Sequence, residues 1–219
     1  IELDEANVDK LTDIIAALEP TFGAINLEDI KAPECFVLEE RLRKRMRIPV
    51  FHDDQHGTAI VAGAAVLNGL RLLEKNIKKI KLVSTGGGAA GIACLELLVR
   101  MGLTRKNIWL VDHIGLVYQG RKEAMDSHKE RFAQKTKMRT LEQVIEDADV
   151  FLGLSAAGVL TEKMVLLMHK QPLIMALANP EPEIDPNLAK KANPNAIVAT
   201  GRSDYPNQVN NVLCFPFIF

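Results

Sequence analysis

Residues 81–91 read KLVSTGGGAAG, and this stretch decides how the chain folds. A short run suited to a buried strand leads into a glycine-rich turn, and a helical pattern begins at residue 88. A Gly-x-Gly-x-x-Gly turn between a strand and a helix is typical of a dinucleotide-binding site. The first glycine permits the tight turn, the second lets backbone N–H groups approach a pyrophosphate, and the third allows close helix packing. The predicted binding residues of this turn are Gly86, Gly88, Ala89, Ala90 and Gly91.

A simpler explanation of the turn has to be weighed against this one. Glycine clusters mark any sharp turn, and an aspartate after a strand is usually a cap. Here Asp112 closes the next predicted strand, about 20 positions beyond the turn, where a carboxylate can accept hydrogen bonds from ribose hydroxyls. Because strand, turn, helix and distal acid occur together, the sequence favours a dinucleotide-binding site.

The pattern around the turn predicts the fold class. Short apolar runs alternate with helical patterns through residues 56–219. Such alternation predicts an α/β fold with a doubly wound parallel sheet of the Rossmann type. The predicted strands are 80–84, 108–111, 150–154, 173–177 and 197–199, and the predicted helices are 56–74, 88–101, 121–146 with a break near Lys137, 161–169 and 185–191.

Residues 1–55 follow a different pattern. Apolar side chains recur with helical spacing between residues 6 and 19, and a second helix is predicted from Pro33 to Met46. A short strand is predicted at 48–51. We interpret residues 1–55 as the end of a separate, mostly helical domain. The chain starts at Ile1 and stops inside an apolar segment, so we expect it to be a piece of a longer polypeptide.

Two acidic pairs form a second candidate site. Glu28-Asp29 and Asp53-Asp54 each follow an apolar stretch and precede a predicted helix. If the two pairs converge, three carboxylates would suit Mg²⁺ or Mn²⁺, which prefer oxygen ligands. The alternative is helix capping, because Asp and Glu are favoured at helix N-termini. The spacing alone leaves both explanations open.

The composition excludes several classes of protein. The formal net charge is -1 and 25% of the residues are charged, so no basic surface for nucleic acid or membranes is indicated. No apolar run is long enough to cross a bilayer. The three cysteines are widely spaced and include no Cys-x-x-Cys pair, which indicates neither a disulfide framework nor a zinc site. We therefore expect a cytoplasmic protein.

Four further motifs carry a family resemblance. Residues 23–29 read GAINLED, residues 50–59 read VFHDDQHGTA, residues 177–180 read LANP, and residues 208–212 read QVNNV. Together they resemble malic enzymes of the bacterial type, and the match runs essentially end to end. The resemblance implies that residues 1–55 belong to a substrate- and metal-binding domain and residues 56–219 to an NAD(P)-binding domain.

The resemblance also implies roles for individual residues. The implied reaction is oxidative decarboxylation of malate to pyruvate and CO₂ with reduction of NAD(P), assisted by Mg²⁺ or Mn²⁺. It implies a homo-oligomer as well, and a general-acid tyrosine and general-base lysine from a segment preceding this one, so we expect this chain to be inactive alone. The implied metal ligands are Glu28, Asp29 and Asp54, the implied catalytic residues are Asp53, Asn179 and Asn211, and Ser155 and Asn179 are implied to line the cofactor.

The choice between NAD and NADP depends on few residues. Asp112 favours the free 2′-hydroxyl of NAD. Lys129, however, aligns with a position where some NADP-dependent members carry a lysine for the 2′-phosphate, which gives a lean toward NADP. His113 and Arg121 are alternative phosphate contacts.

Two competing functions are consistent with the glycine turn. One is another two-domain dehydrogenase, such as one acting on an amino acid, because the turn does not choose among them. Dependence on a divalent metal would count against it. The other is a non-catalytic module that binds a dinucleotide.

Overall fold

Two helices and a two-stranded sheet form the N-terminal part of the computed structural model, which describes residues 1–218. Helices α1 (Val8–Ala17) and α2 (Glu34–Arg45) lie within the two helices predicted for this part of the chain, and they pack together. Strands β1 (Ile25–Leu27) and β2 (Val50–His52) pair in parallel, with Leu27 opposite His52. The residues that follow these two strands therefore leave the same edge of this small sheet. Its core is built from Ile15, Leu27, Leu38, Leu42 and Met46.

A π-helical turn joins this part to the rest of the chain. The turn spans Asp53–Gly57 and continues directly into α3 (Thr58–Leu72). The boundary that we place between residues 55 and 56 thus falls inside a turn rather than in a flexible linker.

A six-stranded sheet organises the remainder. Its strands are β3 (Leu82–Thr85), β4 (Ile108–Asp112), β5 (Gly115–Leu116), β6 (Val150–Gly153), β7 (Leu173–Ala176) and β8 (Ile197–Thr200). Their spatial order is β5-β4-β3-β6-β7-β8, and all pairs are parallel except the short antiparallel β4–β5 pair at one edge. The chain order reverses on either side of β3, so the switch point of the sheet lies between β3 and β6.

Both faces of this sheet are covered, which confirms the predicted doubly wound α/β class. Every residue of β3, β6 and β7 is buried, as expected for strands packed on two sides. Adjacent residues such as Leu82 and Val83 belong to two separate apolar cores, one on each face. The remaining helices are α4 (Ala89–Arg100), α5 (Ser127–Glu130), α6 (Leu141–Val144), α7 (Glu162–Leu167), α8 (Pro186–Ala192) and α9 (Phe215–Ile218).

The prediction of a mostly helical segment at 121–146 was wrong. Only α5 and α6, of one turn each, are helical there. The rest is held by long-range bonds, among them those from the Gln134 side chain to the carbonyls of Arg105, at 3.0 Å, and Ile108. Tertiary contacts therefore override the local helical pattern.

None of the helices described for residues 1–218 is long and apolar enough to cross a bilayer.

Candidate dinucleotide and metal site

The glycine turn sits at the carboxyl end of β3. Gly86 has φ +102°, a left-handed conformation that favours glycine, and its N–H donates to the carbonyl of Val111 at 2.9 Å. A Cβ at this position would lie 2.2 Å from the carbonyl oxygen of Leu154. Position 86 therefore requires glycine for both its conformation and its closeness to the loop after β6.

The other two glycines of the motif differ in what surrounds them. A Cβ on Gly91 would lie 2.0 Å from the carbonyl oxygen of Gly86, so the start of α4 packs directly on the turn. A Cβ on Gly88 would meet no atom of residues 1–218 within 4 Å. In the same part of the chain, no side chain caps the N-terminus of α4, where Ala89 and Ala90 begin the helix. The open side of Gly88 and the uncapped helix suit an anion such as a pyrophosphate.

Asp112, at the end of β4, is already paired. Arg121 donates to both of its carboxylate oxygens, and the bond from Nη1 to Oδ1 measures 2.9 Å. Lys129 donates to Oδ2 at 3.1 Å. Burial opposes ionisation of Asp112, but the bonds from Arg121 and Lys129 outweigh it and lower its pKa to about 2. At neutral pH this trio therefore carries an anion between two cations.

Lys129 connects this trio to the glycine turn. Its Nζ also donates to the carbonyl of Ala124 at 2.7 Å. A Cβ placed on Gly87 would lie 2.8 Å from Lys129 Cε, so the lysine stem lies against the turn. Of the alternative phosphate contacts, Arg121 is buried in its pairing with Asp112, whereas His113 is exposed.

The loops after β6 and β7 carry two further predicted residues. Ser155 Oγ donates to Thr85 Oγ1 at 2.9 Å, which joins the ends of β6 and β3 across the switch point. Asn179 is exposed beyond β7, and a Cβ on Gly201 would come within 2.9 Å of its amide nitrogen. Glu183 lies buried beneath both loops, and burial raises its pKa despite hydrogen bonds from backbone N–H groups.

The two acidic pairs leave the same edge of the small sheet, because β1 and β2 are parallel and in register. Asp53 is buried, and its pKa is raised by burial and then by the neighbouring charges of Glu28 and Asp54. Its Oδ2 accepts a hydrogen bond of 2.6 Å from the amide of Asn211, which lies beyond β8. Asp29 is exposed and has φ 56°, a conformation uncommon for a residue other than glycine.

These side chains meet one test for a divalent metal and fail another. Their oxygen donors are the right chemistry for Mg²⁺ or Mn²⁺, and the repulsion on Asp53 indicates acidic groups close together. As the side chains lie within residues 1–218, however, no group of three or more His, Cys, Asp or Glu residues is arranged to hold an ion. Glu28, Asp29 and Asp54 thus remain proposed ligands, which would have to turn toward a common point.

Sequence analysis missed two buried carboxylates at this site. Glu39 on α2 contacts His56 Nε2 at 2.6 Å and accepts a bond from Gln55 Nε2 at 3.4 Å, so it anchors the turn that carries Asp53. Glu183 was missed because a glutamate in a proline-rich stretch is typical of a solvated loop. For Glu39, its place on the apolar side of α2, one residue after Leu38, was the available signal.

The sheet carries a glycine turn at its switch point and a paired acid on the next strand. These features define a dinucleotide-binding domain of the Rossmann class. The family model described as malic enzyme, NAD binding domain, matches residues 55–218, and that described as malic enzyme, N-terminal domain, matches residues 2–43. The chain belongs to the malic enzyme family.

Individual relatives agree with that assignment. The chain is 61% identical to the NADP-dependent malic enzyme of Escherichia coli and 62% identical to an NAD-dependent malic enzyme of Rhizobium meliloti. All of the chain is covered in both comparisons, but it spans only 29% and 28% of those two proteins. Among solved structures, the NAD-dependent malic enzyme of Thermotoga maritima superposes with a TM-score of 0.93 at 46% identity, over 99% of this chain and 58% of that one.

Proposed function

We propose that this chain supplies the dinucleotide-binding and metal-binding parts of an enzyme that converts malate to pyruvate and CO₂ while reducing NAD(P). The observation that carries the proposal is the hydrogen bond from Asn211 to Asp53. It joins the acidic edge of the small sheet to the segment beyond β8, at the carboxyl end of the six-stranded sheet. This contact supports a site in which a metal-bound hydroxy acid would lie beside a hydride acceptor.

The order of the strands supports this arrangement. The basic pair around Asp112 lies at β4, the glycine turn at β3, Ser155 after β6 and Asn179 after β7. A dinucleotide that crosses the switch point with its adenosine at β4 would direct its nicotinamide toward β6 and β7. Asn211, which bonds to Asp53, follows β8 on that side of the sheet.

Each of the chain's own residues has a part in this proposal. The Asn211 amide fixes the Asp53 carboxylate, and the exposed Asn179 amide would bind a substrate carboxylate or hydroxyl. Glu28, Asp29 and Asp54 would hold the divalent cation. When bound, that cation supplies Lewis-acid polarisation of the C2 oxygen and stabilises the charge left as the C4 carboxylate departs.

We further propose a preference for NADP. The Asp112 carboxylate is occupied by Arg121 and Lys129, so it is not free to accept bonds from two ribose hydroxyls. Two cations and one anion leave a net positive charge beside the glycine turn, which suits a 2′-phosphate. The two bacterial relatives of nearly equal identity use different cofactors by name, so overall similarity does not decide this point.

Calorimetric titration tests both parts of the proposal. The chain is titrated with NADP and NAD, with and without Mn²⁺ and malate. We expect Lys129→Ala to weaken NADP binding by about tenfold and to leave NAD binding unchanged, while the exposed Lys122→Ala serves as the matched control. We expect Asp54→Ala to lose Mn²⁺ binding but keep NADP binding. A folded chain that binds neither dinucleotide would refute the proposed function.

Two finer expectations also belong to this proposal. A homo-oligomer is expected from the family, and light scattering of the purified chain would measure it. A cytoplasmic location is supported by the three cysteines, Cys35, Cys94 and Cys214, which are all buried and free of disulfides.

A further inference from the structure

Glu183 carries a buried carboxylate that the proposed chemistry does not use. It lies between β7 and α8, and its side chain is 0% exposed. Within residues 1–218 it forms no ion pair, and burial raises the pKa of its carboxyl group. Burying a carboxylate without a cation costs free energy. The groups that this carboxylate binds therefore have to explain its position.

Both oxygens of this carboxylate accept hydrogen bonds from the backbone. Oε1 accepts from the N–H of Ser155 at 2.9 Å, and Oε2 accepts from the N–H of Ala178 at 3.1 Å. These two residues lie in the loops that leave the neighbouring strands β6 and β7. A third bond, from the N–H of Leu160 to the Glu183 carbonyl at 3.0 Å, joins the same loops again. One side chain thus fixes the spacing of two loops.

The last residue of β6 is shaped around this carboxylate. A Cβ on Gly153 would lie 2.3 Å from Glu183 Cδ and 2.6 Å from each carboxylate oxygen. Because a side chain at position 153 would displace the carboxylate, the glycine and the glutamate form one structural unit. The hydrogen bonds of Glu183 to the two loops can therefore be disturbed by changing either residue.

The two loops carry predicted cofactor and substrate residues. Ala178 directly precedes Asn179, and the Ser155 hydroxyl bonds to Thr85 across the switch point. Both loops lie on the far side of β3 from Asp112 and Lys129. We propose that Glu183 is a positioning residue for the nicotinamide half of the cofactor site, because it holds the loops that carry Ser155 and Asn179. This inference rests on the proposed binding of a dinucleotide.

Two ligands separate the two halves of the site. NADPH carries a fluorescent reduced nicotinamide, whereas 2′-phospho-ADP-ribose keeps the adenosine, the phosphates and the second ribose but lacks the nicotinamide ring. If the wild-type chain prefers NAD, NADH and ADP-ribose take their places. The variants are Glu183→Gln, which replaces one acceptor oxygen by a donor, and Gly153→Ala. Glu181→Gln, an exposed carboxyl in the same loop, is the matched control.

We expect Glu183→Gln and Gly153→Ala to return the emission of bound NADPH toward that of the free dinucleotide and to weaken NADPH binding by about tenfold. Binding of 2′-phospho-ADP-ribose should change by less than about twofold in both variants. Glu181→Gln should match the wild type with both ligands. If Glu183 served only general stability, the binding of both ligands would weaken together.

The possible failures are distinguishable. If the wild-type chain binds neither ligand, the proposed function fails and this inference falls with it. If the wild type binds both and Glu183→Gln retains the nicotinamide emission, the positioning role is refuted while dinucleotide binding stands. Should Glu183→Gln not fold, Glu183→Asp, which keeps the charge but is too short for both N–H groups, takes its place. If that variant also fails to fold, Glu183 serves the fold and not the cofactor.

Discussion

Replacing Asp112 by asparagine should destabilise the chain strongly, although Asp112 lies next to a cofactor crevice. Its side chain is only 4% exposed and that of Arg121 only 1%. In Asp112→Asn the guanidinium would stay buried without its anion, and Lys129 would lose the same partner. Removing one member of a buried ion pair costs about 3–5 kcal/mol, because the remaining charge is left uncompensated.

The pH dependence gives an independent measure of the same interaction. The pKa of Asp112 falls from 3.8 to about 2 on folding, which corresponds to about 2 kcal/mol of stability at neutral pH. A carboxyl whose pKa is lowered by folding contributes fully above its unfolded pKa. That contribution should therefore be complete above pH 3.8 and be lost as the pH falls toward about 2. The difference between wild type and Asp112→Asn should shrink over that interval.

The assay is urea unfolding followed by the fluorescence of Trp109, the single tryptophan, which lies on the same strand as Asp112. The matched control is Asp204→Asn. Asp204 also pairs with an arginine, Arg202, but the two side chains are 56% and 38% exposed, so we expect little change. If Asp112→Asn were no more destabilising than Asp204→Asn at neutral pH, the buried trio would contribute nothing and the argument would be refuted.

Three further variants probe the packing of other side chains. Gly91→Ala should lower the thermal unfolding temperature, because its Cβ would meet the Gly86 carbonyl oxygen at 2.0 Å. Gly88→Ala should keep that temperature, because the space around Gly88 is open, and should weaken only dinucleotide binding. A Gly88→Ala variant that binds NADP as tightly as wild type would show that no ligand approaches there. Lys75→Met should cost roughly 1.5–3 kcal/mol in urea unfolding, because the Lys75 ammonium donates to Asp149 at 2.7 Å with both side chains largely buried. An unchanged unfolding midpoint would contradict this.

The parts of the fold that sequence analysis predicted are those with strong local patterns. The strand at Leu82–Thr85 and the helix at Ala89–Arg100 combine an apolar run, a glycine turn and a regular helical spacing. In the segment 121–146 the local signals do not combine in this way. Asp126 and Thr140 do cap helices there, but each helix ends after one turn, because bonds to distant backbone groups take over.

The site was predictable as a set of residue types but not as an arrangement. The glycine turn could be found because its residues are adjacent in sequence. The contact between Asp53 and Asn211 joins residues 158 positions apart, and nothing local to either residue indicates it. The pairing of Asp112 with Arg121 was also missed, since an arginine after a strand is as consistent with a phosphate contact. Spacing reveals candidate groups, whereas their partners depend on tertiary structure.

Asp112 and Glu183 are two buried carboxylates near the proposed cofactor site, and their hydrogen-bond partners differ in charge. Asp112 lies where a dinucleotide phosphate is proposed to bind, and an unpaired anion there would repel it; two cations reverse the local charge. Glu183 has no cation partner among residues 1–218, and its carboxyl oxygens accept hydrogen bonds from backbone N–H groups instead. It lies on the other side of β3 from Asp112, beneath the loops where the nicotinamide is proposed to bind, and the oxidised ring would itself be a cation. The placement of each carboxylate thus agrees with the charge of the cofactor half proposed to lie above it.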